Sequence, residues 1–473
     1  MVNVIYEASG NLFGIQNVVD GRKDENELLA RSNNWIKMVS RGKNFVRNIF
    51  IATALKTTFE SYCGCLTPVE GNEESRAAFN EWAKHAGLES GESLAELTAQ
   101  LVGVMTWGDC LVVLGSDPYA APGTIAARLK LIDPLRVETP PKYKEGKLIS
   151  GKRVVLGVAL DKHDIEIGYY VRKAGTDGKD EDFDFLPRYD KNGRFFSMLV
   201  RAPGSKFPGQ VRSFPMLSGS MNVTDVLNQL VDSAAIEGKS KSNMSVMLES
   251  VLPPDDGKTE WTDDKEKPKP PNLNLSNAKP GAVLVLPEGT KPHIITNTDN
   301  LNLVEQIRQQ LKLIAGGLGI PYAAFMSDFE KMNFSSSKMA LNKLYKIIDL
   351  WNFGPIARLF SELFYWVCYE YYLIKGTLPK KEMLVCDWIG PTPPDPDPLK
   401  SANAERVRLA NGTLNPSDAV ATYSGTDYAA HCKQRKKDEE TQVREYGAPF
   451  GLDFKNSDSS TPDDDDDDVE DKE

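Results

Sequence analysis

The chain has 473 residues, of which 41% are hydrophobic, 26% are charged and 7 are tryptophan; it is too long for one core and too apolar for wholesale disorder or a fibrous repeat, so two or more structural units are expected. The formal net charge of −11 is concentrated: residues 456–473 hold ten acids against one base, leaving about −2 on the rest, which makes no strong electrostatic case for tight, salt-sensitive nucleic-acid binding. Six cysteines are too sparse for a disulfide scaffold and indicate a reducing compartment, no charged-then-apolar leader opens the chain, and the most apolar stretch, Ile356 to Ile374, is broken by Arg358, Glu362 and Glu370, which argues against a membrane span.

From Glu25 to about Trp107 the apolar spacing is helical, carried by Leu28, Trp35, Val39, Phe45 and Ile49 and later by Leu94, Leu97, Leu101 and Met105, with Gly42 and Gly87 as punctuation. The period then changes. Cys110 to Leu114, Arg128 to Ile132, Arg153 to Leu160, Ile165 to Arg172 and Phe195 to Arg201 are short, rich in β-branched and aromatic residues and bounded by Gly, Pro and Asp, so they read as strands. Residues 1–218 are expected to form one α+β unit.

A helix follows from about Met221 to Ser250, with Val223, Val226, Leu230 and Ala234 at helical spacing and small residues in its middle that allow a second helix to approach. Pro253 to Pro280 is rich in proline and lysine, Asp255 to Pro271 within it reads locally as linker, and Ala282 to Leu286 reads as a strand. A second helix covers about Leu301 to Gly316. Its apolar stripe Val304, Ile307, Leu311, Ile314, Leu318 leaves Glu305, Arg308, Gln309 and Lys312 on the opposite side. Gly316-Gly317-Leu318-Gly319-Ile320-Pro321 must end it, because three glycines and a proline do not extend a stable helix. After a loop through Met332-Asn333-Phe334, a long helical run extends from Ser335 to about Ile374, with a kink expected at Gly354-Pro355. Polar helices are expected over about Leu399 to Ala410 and after Ser417, and the acidic segment beyond Asn456 is expected to be disordered by charge repulsion.

A search for catalytic patterns finds none. Gly238-Lys239-Ser240 would need glycine where Ser233 stands, and Gly257-Lys258-Thr259 has Leu252 at the corresponding place, so neither is a phosphate loop. Cys63-Gly64-Cys65 lacks a second pair to complete a metal site, and His85, His163, His293 and His431 lie in unrelated contexts. We therefore expect no enzyme, no cofactor and no metal, although plentiful carboxylates leave a distant catalytic pair open.

Four stretches, in order, resemble the portal proteins of lambda-type tailed bacteriophages: Gly209-Gln210-Val211-Arg212-Ser213-Phe214-Pro215, with Ser213 where the family usually has glycine; Pro280-Gly281-Ala282-Val283 with Leu286-Pro287-Glu288-Gly289; Ala315 to Tyr322 followed by Asp328 and Asn333 to Lys338, with Lys338 where arginine is common; and Asp397-Pro398-Leu399-Lys400 with Gly425-Thr426-Asp427. A weaker likeness runs through Ile132-Asp133-Pro134 and Gly157 to Val171. The resemblance implies a mainly helical α+β portal fold assembled as a dodecameric ring at one capsid vertex of the virion, put together in the bacterial host cytoplasm, through which double-stranded DNA is packaged and ejected.

On that plan residues 1–218 are the wing, 219–250 the first stem helix, 251–299 the clip, 300–320 the second stem helix, 321–337 the tunnel loop, 338–397 a kinked helix returning to the wing, 398–445 the crown and 446–473 an acidic tail. The partners implied are further copies of the chain, sequence-nonspecific duplex DNA, the terminase large subunit, the head-completion adaptor, and the major capsid and scaffolding proteins, with no membrane. Candidates for the channel lining are Arg308, Lys312, Lys331 and Lys338. The stripe Val304, Ile307, Leu311, Ile314, Leu318 is the candidate for packing between subunits. Two other readings stay open: a structural or scaffolding assembly protein without a channel, and a carboxylate-dependent enzyme.

Overall fold

The computed structural model describes residues 34–48, 59–248, 282–285, 300–326, 334–390 and 398–446, apart from short breaks at 60–62, 65, 70, 144–147, 150–151, 177, 192, 205–206 and 425. The described chain is mainly helical with small sheets, an α+β arrangement around a hydrophobic core that runs from Trp35 to Leu384. Among the described residues no helix is long and apolar enough to cross a membrane.

The helical period of the N-terminal third yields α1 (Asn34–Asn48), α2 (Glu73–Ala83) and α3 (Leu94–Trp107), with a short strand β1 (Thr67–Val69) before α2. Gly42 lies inside α1 instead of ending it. Helix α3 opens on a reciprocal cap: the Glu96 amide donates to Ser93 Oγ at 3.3 Å and the Ser93 amide donates to Glu96 Oε2 at 2.8 Å. Those backbone and hydroxyl bonds hold the Glu96 carboxyl below the usual range. Leu94, Leu97, Leu101 and Met105 are all buried, as the spacing requires of a helix covered on most sides.

Strands β2 (Cys110–Ser116) and β3 (Ala127–Ile132) form an antiparallel pair, and β9 (Ser197–Val200) joins the other edge of β2 in the order β3-β2-β9. A second, five-stranded meander contains β4 (Leu148–Ile149), β5 (Lys152–Val155), β6 (Val158–Leu160), β7 (Glu166–Arg172) and β8 (Phe183–Pro187). The single strand expected over Arg153 to Leu160 is thus a hairpin. Its two-residue turn places Leu156 at φ 46° and Gly157 at φ 83°, the left-handed pair that joins twisted antiparallel strands without splaying them.

Helix α4 (Met221–Asn243) stops short of the expected Ser250, and Met244–Leu248 instead forms strand β10, pairing in parallel with β11 (Ala282–Val285). Gly238, Ser240, Ser242 and Asn243 are poor helix formers, whereas Met244-Ser245-Val246-Met247-Leu248 suits an extended pairing. Helix α5 (Asn300–Gly317) packs antiparallel along α4: Ser220, just before α4, donates its hydroxyl to the Ile314 carbonyl near the end of α5 at 3.4 Å.

The glycine-rich end of α5 is a Schellman cap. The Ile320 amide bonds the Ala315 carbonyl at 3.0 Å and the Gly319 amide bonds Gly316 at 3.0 Å, with Gly319 at φ +72°. A Cβ on Gly317 would stand 2.8 Å from Ser220 Oγ, so that residue is small because α4 begins there, whereas Gly316 faces open space. Among the described residues, the next segment, expected as loop, carries a short helix, α6 (Tyr322–Met326).

Helix α7 (Phe334–Trp351) continues through a single wide turn of π type, Asn352–Ile356, into α8 (Ala357–Ile374). Pro355 sits in that turn, where a widened ring absorbs its missing N–H; the expected kink takes this form and the helix does not break. Leu359, Phe360, Leu363, Phe364 and Val367 bury their stripe. Phe364 lies 5.3 Å from Phe79 of α2, and Trp388 of β12 (Asp387–Ile389) makes edge contacts with Phe79, Phe360 and Phe364. β12 pairs antiparallel with β1, tying the later chain to the start of the core. Three polar helices close the described chain, α9 (Pro398–Ala410), α10 (Pro416–Ser424) and α11 (Tyr428–Tyr446), and α9 and α10 bury no residue.

The cap distinguishes two nearby glycines by their physics. Gly319→Ala forces a left-handed backbone on a residue with a Cβ and should cost about 1–2 kcal/mol, whereas Gly316→Ala adds a good helix former in open space and should stabilise by about 0.5–1 kcal/mol. Urea unfolding of the two variants checks the opposite signs.

Candidate functional site

The stretch Gly209 to Pro215 leads from β9 into α4, and Arg212 at its centre is fully buried, as is Asp109. Asp109 lies between the end of α3 and the start of β2. Arg212 Nε donates to Asp109 Oδ2 at 2.8 Å and Nη2 to Oδ1 at 2.7 Å, the paired fork that a guanidinium makes with a carboxylate. Its remaining donors reach the carbonyls of Val137 at 3.0 Å, Leu156 at 2.7 Å and Pro134 at 3.1 Å. All five N–H groups have an acceptor. One face of the guanidinium lies 3.8 Å from the ring centre of Trp35 in α1.

The neighbours of Arg212 are tied in as well. Trp35 Nε1 donates to the Ser213 carbonyl at 2.9 Å, the Ser213 amide donates to Asp109 Oδ2 at 3.3 Å, and the Gln210 side chain receives the Phe207 amide at 3.0 Å and donates to the Arg212 carbonyl. Arg201 Nε bonds the Val211 carbonyl at 2.8 Å, and its guanidinium also pairs with Glu166 of β7. Tyr169 donates to Glu166 Oε2 at 3.0 Å while accepting the Leu199 amide at 3.2 Å, so it joins the two sheets; burial, then the Glu166 charge, push its hydroxyl above the usual range and keep it a neutral donor. Ser213 does not need glycine's freedom, since its φ is not positive, but its hydroxyl is buried with no hydrogen-bond partner among the described residues.

From this cluster the chain passes through Met216–Gly219 into the antiparallel helix pair. Arg41 of α1 grips the base of α4, donating to Asn222 Oδ1 at 3.0 Å and pairing with Asp225. Met221 and Leu227 are buried, and beyond them the helix emerges from the core, with Val231 and Ile236 exposed, Ile236 at 66%.

The stripe on α5 divides. Leu311, Ile314 and Leu318 are buried in the chain's own core and Ile307 packs at its edge, so these four have little surface left to give a second copy, while Val304 is 62% exposed and Leu313, off the stripe, is 60% exposed. Arg308 is half-exposed, 4.0 Å from Glu305 on the same helix, and Lys312 is exposed one turn further on. Lys338 stands on α7 with its ammonium 3.4 Å from Ser401 Oγ of α9. Lys331 lies outside the described residues, as do 251–281 and 286–299.

Asp109, Trp35 and the Leu156 carbonyl are the partners that sequence reasoning missed. A lone aspartate between Trp107-Gly108 and the apolar run Cys110 to Leu114 was the available signal, since a carboxylate flanked by buried residues on both sides needs a cation.

Sequence comparison matches residues 32–352 to a family described as phage portal protein, lambda family. The chain belongs to that family. Comparison with curated proteins returns no match. Among solved structures, a chain from the neck of an empty gene transfer agent particle computed with C6 symmetry is 12% identical with a TM-score of 0.44, covering 80% of this chain and 92% of that one. A chain from the virion of a native gene transfer agent particle is 13% identical with a TM-score of 0.42, covering 85% and 99%. One from the neck of a native particle computed with C12 symmetry is 13% identical with a TM-score of 0.43, covering 82% and 93%.

In this portal family member the Gly209 to Pro215 stretch is a joint of the fold, not a surface for a partner. Arg212→Ala leaves Asp109 buried without its counter-charge and should destabilise by about 3–5 kcal/mol; Arg212→Lys keeps a charge but loses the five-donor fork, so it should also destabilise, by less than the alanine variant; thermal and urea melts check both. Ser213→Ala removes the unpartnered hydroxyl and should raise stability by about 1 kcal/mol in the same melts.

Proposed function

We propose that this portal protein forms a ring at one capsid vertex, that double-stranded DNA passes through the ring during packaging and ejection, and that the ring docks the terminase large subunit and later the head-completion adaptor. Membership of the lambda portal family over residues 32–352 carries the reading. The unit up to residue 218 is assigned to the wing, where the major capsid and scaffolding proteins would sit. α4 and α5 are assigned to the stem, residues 244–299 to the clip, 321–337 to the tunnel loop, α7 and α8 to the return toward the wing, and α9 to α11 to the crown. Because α4 ends at Asn243, the clip is proposed to begin at 244, in place of the 251 expected from the sequence.

Apolar surface left open on the helix pair supports assembly. Val231, Ile236, Val304 and Leu313 are exposed in a single copy, and neighbouring copies would cover them. If about twelve helices, one from the pair in each copy, stand side by side at about 8–10 Å between axes, that inner ring measures about 30–38 Å across those axes, and side chains narrow it to a bore for one duplex.

A conduit must also let DNA slide. Ring symmetry multiplies every lining cation, and phosphate binding steepens with each contact, so a strongly basic wall would hold the duplex. A near-neutral body with a few cations, for which Arg308, Lys312, Lys331 and Lys338 are proposed, suits passage.

Val304→Glu places a charge on an exposed position and should leave the chain folded while shifting the assembly to smaller species in light scattering; an unchanged mass assigns Val304 to solvent. Lys338→Glu should keep the ring mass and impair DNA packaging in a head-filling assay, and unaltered packaging would remove Lys338 from the lining.

A further inference from the structure

Helix α11 carries Lys433, Lys436 and Lys437 on one face, three and four residues apart, all exposed. Lys433 reaches Glu73 at the start of α2 at 2.8 Å. Between the two helices lies a cleft of about 280 Å³ lined by Glu73, Arg76, Asp427, Lys433, Gln434 and Lys437. Arg76 Nε is buried, with no hydrogen-bond acceptor among the described residues. The cleft thus combines three cations with two acids, one already held by Lys433.

The chain itself supplies a matching polyanion. Beyond Tyr446 the segment 456–473 contains ten acids, six of them in the unbroken run Asp463 to Asp468. Returning from Tyr446 to Lys437 along α11 spans about 14 Å at 1.5 Å per residue, and the 17 residues from 446 to 463 extend to at most about 56 Å. The run therefore reaches the basic face without strain.

We propose that the acidic segment docks on the Lys433, Lys436 and Lys437 face of α11 and that it thereby shields this face from other polyanions, DNA included. The segment acts as an internal competitor for external phosphate at the basic face. Because the contact is between exposed charges it is sensitive to salt. It does not depend on the portal reading.

The test uses the full chain and a fluorescent synthetic peptide, Asn456 to Glu473, followed by anisotropy. With Asp463 to Asp468 all changed to Asn, the chain should bind the free peptide about tenfold tighter than the unaltered chain at about 50 mM salt. Adding Lys433→Gln, Lys436→Gln and Lys437→Gln, all at exposed positions, should abolish that gain. Equal affinity for the first two chains, or a gain that survives the triple substitution, overturns the proposal.

Long-range repulsion without docking is separated by a second readout. Cys432 is exposed beside Lys433 on α11, so a chain carrying Asp465→Cys, placed under a mild oxidant, should form a disulfide between Cys432 and the introduced thiol, identified by peptide mass spectrometry and lost at about 0.5 M salt. Absence of that disulfide at low salt also overturns the docking.

Discussion

The buried contact between Arg212 and Asp109 sets the geometry on which the rest of the chain depends. Two opposite charges without solvent are tolerated only when every lone pair and proton finds a partner, and here five donors meet two carboxylate oxygens and three backbone carbonyls. Those acceptors come from the α3–β2 junction, the Pro134 to Val137 turn and the Leu156 turn of the β5–β6 hairpin, while Trp35 of α1 covers the guanidinium. One side chain therefore holds a helix, two sheets and the segment that launches α4. Such a pair need add little net stability over a well-packed apolar substitute. Its effect is directional: α4 leaves the core at one angle, because the residues just before it are pinned.

The consequences run outward from that joint. Arg41 holds the first turn of α4, Ser220 and Gly317 bring α5 against it, and the Schellman cap at Gly319 turns the chain into α6 and α7. The base of the helix pair is thus buried and rigid, while its far part presents Val231, Ile236, Val304 and Leu313. A firm base with an apolar edge is what side-by-side packing around an axis requires, and the functional reading follows from that combination with family membership. Arg212 and Asp109, both without solvent exposure, are consumed by the fold and hold no charge in reserve for chemistry.

Much of this was legible from the residues alone. Buried helices such as α3 and α8 show their stripes, the end of α5 is written in its glycines, and strands β2 and β3 are short apolar runs between turn residues. What escaped depended on contacts distant in sequence. β1 and β12 have three residues each and exist because Thr67 to Val69 meets Asp387 to Ile389; neither has a period to detect. β8 reads Phe-Asp-Phe-Leu-Pro, with its proline at the edge of a meander. The hairpin at Leu156 hid inside one apolar run because leucine is an unusual occupant of a left-handed position. The α5 stripe was legible as a buried face, but periodicity cannot say whose core buries it. Leu311, Ile314 and Leu318 turn inward to their own chain, and the surface left for a neighbour includes Leu313, off the stripe.

The account stands on a single copy being one segment of a closed ring. The native mass of the purified, unaltered protein, measured with electron micrographs of the same sample under assembly-permitting conditions, tests this most directly. We predict particles of about twelve copies, or about thirteen in overexpressed material, with a central opening; a population of single chains, or of particles without an opening, would contradict it.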